Sequence, residues 1–381
     1  MTRSLLLPLA FVISPLQAGD STETPGTGSD SVFLAPNFFT GGASRLDLEA
    51  DSLTSDDVEI LKSSLRFEQT RGSWKVAAAV GEMRHAIDYE PFTTTLPSRR
   101  VEVSHDYRLE LQKTISPNWT MLATGAYVDG FSDHRSIWIS EFYDQSNSRN
   151  PAYREADPGS VAFSLGGQWS YRPGLGSVLV TVGYSRAEIV PGWGREFNPS
   201  SGRFELVSTD SELETYSGGI VWKTAVNPRL VSKHTLRFTE TEDRELRTQI
   251  QTEWAFALTD DLTVRAQLGG AEEKPDFDAL YGGVTLVYEF NEQWQMDLGY
   301  RYYQDSGEIN SSNFNTAAPG IESRELSLGF LWSNGATSIR ASVGFYETDF
   351  DPIDNPVNDV FTNLYQDRDF ISARFAITHQ F

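Results

Sequence analysis

The sequence predicts an all-β chain: a single antiparallel transmembrane β-barrel of about 16 strands, with short turns on one side and long loops on the other. Three observations carry that reading. From residue 43 to the end, segments of roughly 10 residues alternate apolar and polar side chains. Short turns and long polar connections follow one another in strict succession. Seven of the nine tryptophans stand beside the short turns.

The chain opens on Arg3, an apolar run over 5–16 and small residues at Ala18 and Gly19. That layout is expected of a secretory signal peptide over 1–18. The run is shorter than the roughly 20 apolar residues of a helical span, and Pro8 and Pro15 oppose a helix there. Residues 19–42 read as a polar leader, since 20–30 (DSTETPGTGSD) holds almost nothing a core could use. The barrel is expected over 43–381. None of its segments approaches the ~18 apolar residues of a membrane helix, but alternating spans average to neutral hydropathy.

A net charge of −22 excludes nucleic acid as a partner, which needs a basic surface. The chain has no cysteine, so neither disulfides nor lipid attachment at a thiol arises. Acidic loops would suit a surface in contact with divalent cations.

Seven short turns are expected at 71–73, 116–118, 172–176, 226–228, 259–261, 291–293 and 333–335. All use Gly, Pro, Asn, Asp or Ser, which tolerate or cap turn dihedrals. Most connections between these hairpins are longer, at 131–159, 190–210, 305–321 and 350–366. Between them the alternation has period two. Trp294, Met296, Leu298, Tyr300 and Tyr302 share one face of 293–303, and Gln295, Asp297, Gly299, Arg301 and Tyr303 the other. Stretches 101–112 and 337–346 behave alike. Sustained helical periodicity is absent.

Alternation alone would also fit a soluble sandwich. The tryptophans separate the two. Trp74, Trp119, Trp169, Trp222, Trp254, Trp294 and Trp332 lie near the short turns and on the apolar face, as a periplasmic girdle at the membrane interface requires. Tyr107, Tyr127, Tyr184, Tyr300 and Tyr302 would form the opposite girdle. Trp138 and Trp193 fall in long loops. Seven hairpins contribute 14 strands. A last strand near 368–381 and a first at 44–52 make 16, with 14 as the alternative and 31–40 as a rival first strand.

At the C-terminus Ile371, Ala373, Phe375, Ile377, His379 and Phe381 alternate with polar or small residues and end on an aromatic. This resembles the terminal assembly signal of Gram-negative outer-membrane β-barrel proteins, carried by Phe375, Ile377 and Phe381. His379 departs from the apolar residue usual at its position. The resemblance reaches the superfamily, porin-like in general character, and singles out no transport family. It implies an outer-membrane location, with outer-membrane lipids and the barrel-assembly machinery as partners.

The register turns Arg108, Arg237, Arg265, Arg301, Arg340 and Arg374 inward, with Lys223 and Lys233. It also turns in Glu102, Asp106, Glu110, Glu253, Glu289, Asp297 and Glu325. Such residues either line a watery pore or pair across strands as a structural network. Arg301, Arg340 and Arg374 suggest guidance of anionic solutes.

The five histidines have no metal-ligand spacing, and no HExxH or GxSxG occurs. Asp133-His134 is too little for a catalytic pair. The carboxylates at Asp349, Asp351, Asp354 and Asp359, and at Glu272, Glu273, Asp276 and Asp278, lack the EF-hand pattern and read as solvated loops. The loop 190–195, with Trp193 between glycines, is a candidate constriction. No cofactor, metal or enzymatic activity is expected. A passive pore for small hydrophilic solutes is the leading expectation, since about 16 strands leave an aqueous lumen. A structural or adhesive surface barrel with a plugged lumen is the alternative, and an outer-membrane enzyme comes third.

Overall fold

The structure is a computed structural model that describes residues 44–88, 99–132, 134–147, 157–242, 244–275, 277–310, 316–352 and 364–381. The expected signal peptide, leader and rival first strand lie outside the described residues. The strands are β1 (Ser44–Thr54), β2 (Val58–Arg71), β3 (Trp74–Asp88), β4 (Arg99–Ser116), β5 (Trp119–Asp129), β6 (Gly159–Arg172), β7 (Gly176–Asn198), β8 (Arg203–Asn227) and β9 (Leu230–Thr241). They continue with β10 (Arg247–Ala257), β11 (Leu262–Glu273), β12 (Phe277–Asn291), β13 (Trp294–Asp305), β14 (Glu308–Asn310), β15 (Thr316–Ala318), β16 (Ile321–Ser333), β17 (Thr337–Phe350) and β18 (Arg368–Gln380). One helix is described, α1 (His134–Asn147).

Sixteen of these strands close a barrel in chain order, each antiparallel to the next, while β14 and β15 form a small hairpin of their own. Closure joins β1 to β18, from Arg45 opposite Gln380 to Thr54 opposite Ile371. Ser44 and Phe381 seal the seam by exchanging two backbone hydrogen bonds of 2.9 Å. The first strand stands where 44–52 predicts it.

All seven short turns occur at one end of the barrel. The Asn291 carboxamide accepts from the backbone N–H groups of Gln293 and Trp294 at 2.9 and 3.1 Å. Gly335 adopts a φ of 87°, the left-handed conformation that costs glycine least. Turn chemistry therefore pins the register, and the register decides which face each side chain takes.

That division is consistent around the wall. Leu48, Leu65, Val80, Leu109, Leu165, Val182, Ile250, Leu268, Leu298, Val343 and Phe375 all face outward and are exposed. A water-soluble fold does not expose a continuous apolar band of this extent, whereas a lipid-facing wall must. Trp119 and Trp169 stack at 6.3 Å on the girdle, and Trp294 stands opposite Trp332. Toward the other end, outward positions change from apolar to tyrosine, then to charge. Tyr107 stacks on Tyr127 at 6.2 Å, and Arg99 pairs with Asp88 at 3.3 Å.

Two expectations are corrected. The span 190–210, read as a loop, is strand on both sides of a turn at 199–202. Pairing to β6 stops at Ala187 and pairing from β8 to β9 stops at Thr215, yet β7 and β8 continue together to Asn198 opposite Arg203. They form a two-stranded ribbon beyond the rim, so its backbone does not fold into the lumen as a constriction. The second correction is α1, which no periodicity announced. His134, Ser136, Ile137, Trp138 and Ser140 are all buried. Burial at almost successive positions means the helix is enclosed on several sides, and an enclosed helix needs no apolar stripe.

Candidate functional site

The inward face is the surface on which this chain meets anything that passes or binds inside. Every inward residue expected from the sequence lies there. In β4, Glu102, Asp106, Arg108 and Glu110 alternate with exposed Val101, Val103, Tyr107, Leu109 and Leu111. The same parity places Lys223, Lys233, Arg237, Glu253, Arg265, Glu289, Asp297, Arg301, Glu325, Arg340 and Arg374 inside.

The geometry brings these charges together along the wall and not across the bore. Arg301 on β13 pairs with Glu325, directly opposite on β16. Arg374 on β18 pairs with Glu49 and Asp51 of neighbouring β1. Arg340 reaches over β16 to Asp297 at 2.7 Å. Arg66 meets Asp47 at 3.4 Å and Glu110 at 2.9 Å, and Glu68 links it to Lys75. Sequence reasoning missed Asp47, Glu49, Arg66 and Glu68, although their alternation with Leu48, Leu65 and Phe67 was there to find.

Glycines make this lateral pairing possible. A Cβ on Gly329 would sit 2.6 Å from Asp297 Oδ2, and one on Gly283 would sit 2.9 Å from Arg301 Cγ. The long side chains lie over the bare backbone of the neighbouring strand. They are covered accordingly. Arg374 is 4% exposed and Asp47 16%, against 48% for both Arg99 and Asp88 on the outward rim.

The pairing alters the meaning of Arg301, Arg340 and Arg374. Each sits against a carboxylate, which balances its charge locally.

At the end opposite the short turns, α1 packs against the inward face. Arg100 of β4 donates to Glu141 and to Asp144 (2.8 Å) on the helix, and to Glu102 of its own strand at 2.7 Å. Ile137 and Trp138 join an apolar cluster with the inward residues Leu53, Val58, Ile87, Tyr303, Ile321, Tyr346 and Phe370. Arg368 stands 5.7 Å from the Trp138 ring and grips Asp57 at 2.8 Å. Burial alone would raise the Asp57 carboxyl, but the Arg368 hydrogen bonds and charge, with Ser55 and Gln366, hold it below its ordinary value.

His134 is buried in α1, and its supposed partner Asp133 is outside the described residues. Glu273 takes Arg247 at 2.8 Å and Glu272 takes Lys274 at 3.1 Å, while Asp276, Asp354 and Asp359 are outside the described residues. Among the described residues no group of three His, Asp or Glu is arranged to hold a metal ion. Trp193 lies in the ribbon. Phe375 faces outward on β18, and Phe381, just beyond its end, is exposed with its ring 5.7 Å from His379 and 6.5 Å from Phe67. Ile377 follows the same face.

No family model matches the sequence, and no curated protein matches it. Solved structures share its shape. CdiB from Acinetobacter baumannii has a TM-score of 0.53 at 9% identity, covering 89% of this chain and 60% of that one. A bacterial polysaccharide outer membrane secretin has a TM-score of 0.50 at 9% identity, covering 90% of this chain and 100% of that one. The Pseudomonas putida toluene transporter TodX, at a TM-score of 0.44 and 10% identity, covers 92% and 93%. At these identities the likeness concerns the fold. A closed antiparallel barrel of sixteen strands, apolar outside and charged inside, defines the class: this is a single-chain β-barrel with the build of a membrane-spanning one, a fold it shares with the outer membrane secretin and CdiB.

Proposed function

We propose that this barrel sits in the outer membrane and serves as a passive pore for small hydrophilic solutes, narrowed at its external mouth by α1. The observation that carries the reading is the lateral pairing of inward charges over glycines. Side chains that lie along the wall leave the axis of a sixteen-stranded barrel to water. The fold shared with the outer membrane secretin and with CdiB supports the membrane location. Purified protein in a planar bilayer should produce discrete conductance steps. Silence from protein that is folded and heat-modifiable would end the pore reading.

One observation favours a second reading. The apolar cluster joining α1 to the arc of wall from β12 round to β3 resembles a core more than a vestibule. A structural or adhesive surface barrel with a plugged lumen would show that cluster too. It predicts no conductance from the parent and none after α1 is loosened.

A further inference from the structure

We infer that the inner wall from β9 to β12 is a binding track for a polyhydroxylated carboxylate, a sugar acid, inside the lumen of the proposed pore. It is built in register rows. Arg237, Gln249 and Ala271 share one row, Thr235, Gln251, Gly269 and Tyr281 the next, and Lys233, Glu253, Gln267 and Gly283 the third. All these side chains face inward. Gly269 is bare where the Tyr281 ring lies across it, so the phenol reaches over β11 to β10.

That reach creates a continuous relay. Gln249 donates to Tyr281 Oη at 2.8 Å, the phenol donates to Gln251 at 3.2 Å, and Gln251 donates to Glu253 at 2.8 Å. Lys233 closes the chain on Glu253 at 3.3 Å. Carboxamides and phenols both donate and accept, which is the complement of a solute hydroxyl. Hydroxyls can therefore replace links of the relay one at a time without leaving a polar group unsatisfied. From Arg247 to Glu253 the track extends about 20 Å along the wall.

Charge supplies the acid specificity. Across β9 to β12 the inward cations are Lys233, Arg237, Arg247 and Arg265, and the inward carboxylates are Glu253, Glu273 and Glu289. A cationic surplus in a chain of net charge −22 is a local exception. Guanidinium groups take carboxylates with two parallel hydrogen bonds. Arg237, beside Gln249 in the same row, places that capacity next to the relay.

The test titrates detergent-folded barrel calorimetrically with glucuronate, glucose and acetate, and measures block of single-channel current by the same three probes. Glucuronate should bind about tenfold more tightly than either other probe, and Arg237→Gln should abolish that advantage. Gln249→Leu should weaken glucuronate but leave acetate unchanged. Lys62→Gln removes an inward cation on β2, away from the track, and should change nothing. Equal binding of acetate, equal binding of glucose, an unaffected Arg237→Gln, or the same loss in Lys62→Gln would each overturn the track. Variants are compared only where heat-modifiability matches the parent. The inference rests on the pore reading, but the two fail differently. Conductance without glucuronate preference removes the track alone, while binding without conductance removes the pore alone.

Discussion

Gly329 carries no side chain because the Asp297 carboxylate occupies its space, and that single vacancy lets Arg340 pair across a whole strand. Gly329→Ala should therefore cost about 1–3 kcal/mol, by displacing a carboxylate already paired with Arg340. Urea titration of refolded protein measures it, and an unchanged midpoint would show that the pair does not depend on the vacancy. Position on the wall matters as much as size. Leu298 faces lipid and Ser327, between Gly299 and Gly344 in its register row, faces the lumen. Arginine at the bilayer midplane costs roughly 2–4 kcal/mol on the lipid face, so Leu298→Arg should destabilise far more than Ser327→Arg. Equal effects would shift the register of these strands by one. At the mouth, Asp57 has a depressed carboxyl, so it binds protons less readily folded than unfolded. Its contribution is complete above its unfolded value near 3.9 and fades as pH falls through its lower folded value. Hydrogen exchange around Asp57 should accelerate only in that acid range, and Arg368→Gln should remove the dependence.

Elements differ in how plainly the sequence announces them. Strands with one lipid face and one lumen face were legible, because each carries a strict period of two between turn residues. The helix α1 was not. Its burial comes from the barrel around it, and nothing in 134–147 records which walls it will meet. The ribbon of β7 and β8 was missed for a related reason, since Pro191, Gly192 and Gly194 interrupt it where a bulge lies between Ile189 and Gly192. The seat of α1 is testable as an element. Arg100→Ala removes the common partner of Glu141 and Asp144, so the helix should leave the mouth, enlarging the conductance step and exposing the bond after Arg135 to trypsin. A resistant helix and an unchanged step would mean the apolar cluster alone holds it. For β18, deleting Phe381 should lower membrane assembly more than His379→Ala, because the deletion also removes the backbone pair with Ser44 that seals the seam. Normal assembly of the deletion would refute that.

For the whole molecule the instructive feature is where the acid lies. The chain is strongly acidic, yet its inward charges are largely matched in pairs and locally basic over β9 to β11. Outward-facing carboxylates above the tyrosine level, such as Glu59, Asp88, Glu214 and Glu347, carry part of the excess. Net charge therefore says little about which ions the lumen prefers. The barrel as a unit should remain compact in detergent at room temperature and change electrophoretic mobility only on boiling. Recovery as a folded, detergent-free soluble protein would contradict the apolar outer band.

By itself the sequence determined the barrel, its strand count and the inward or outward sense of each named charge. Those are local properties: a period of two, a turn residue and an interfacial tryptophan each act within a few positions. Only the tertiary structure decided which charges are neighbours, because Arg340 and Asp297 are separated by a strand that no local rule relates to either. It also decided that α1 closes on the mouth and that Tyr281 crosses Gly269 to reach Gln249. The Tyr281 contact depends on the lateral register of three neighbouring strands, and the seat of α1 on walls that meet across the seam between β1 and β18.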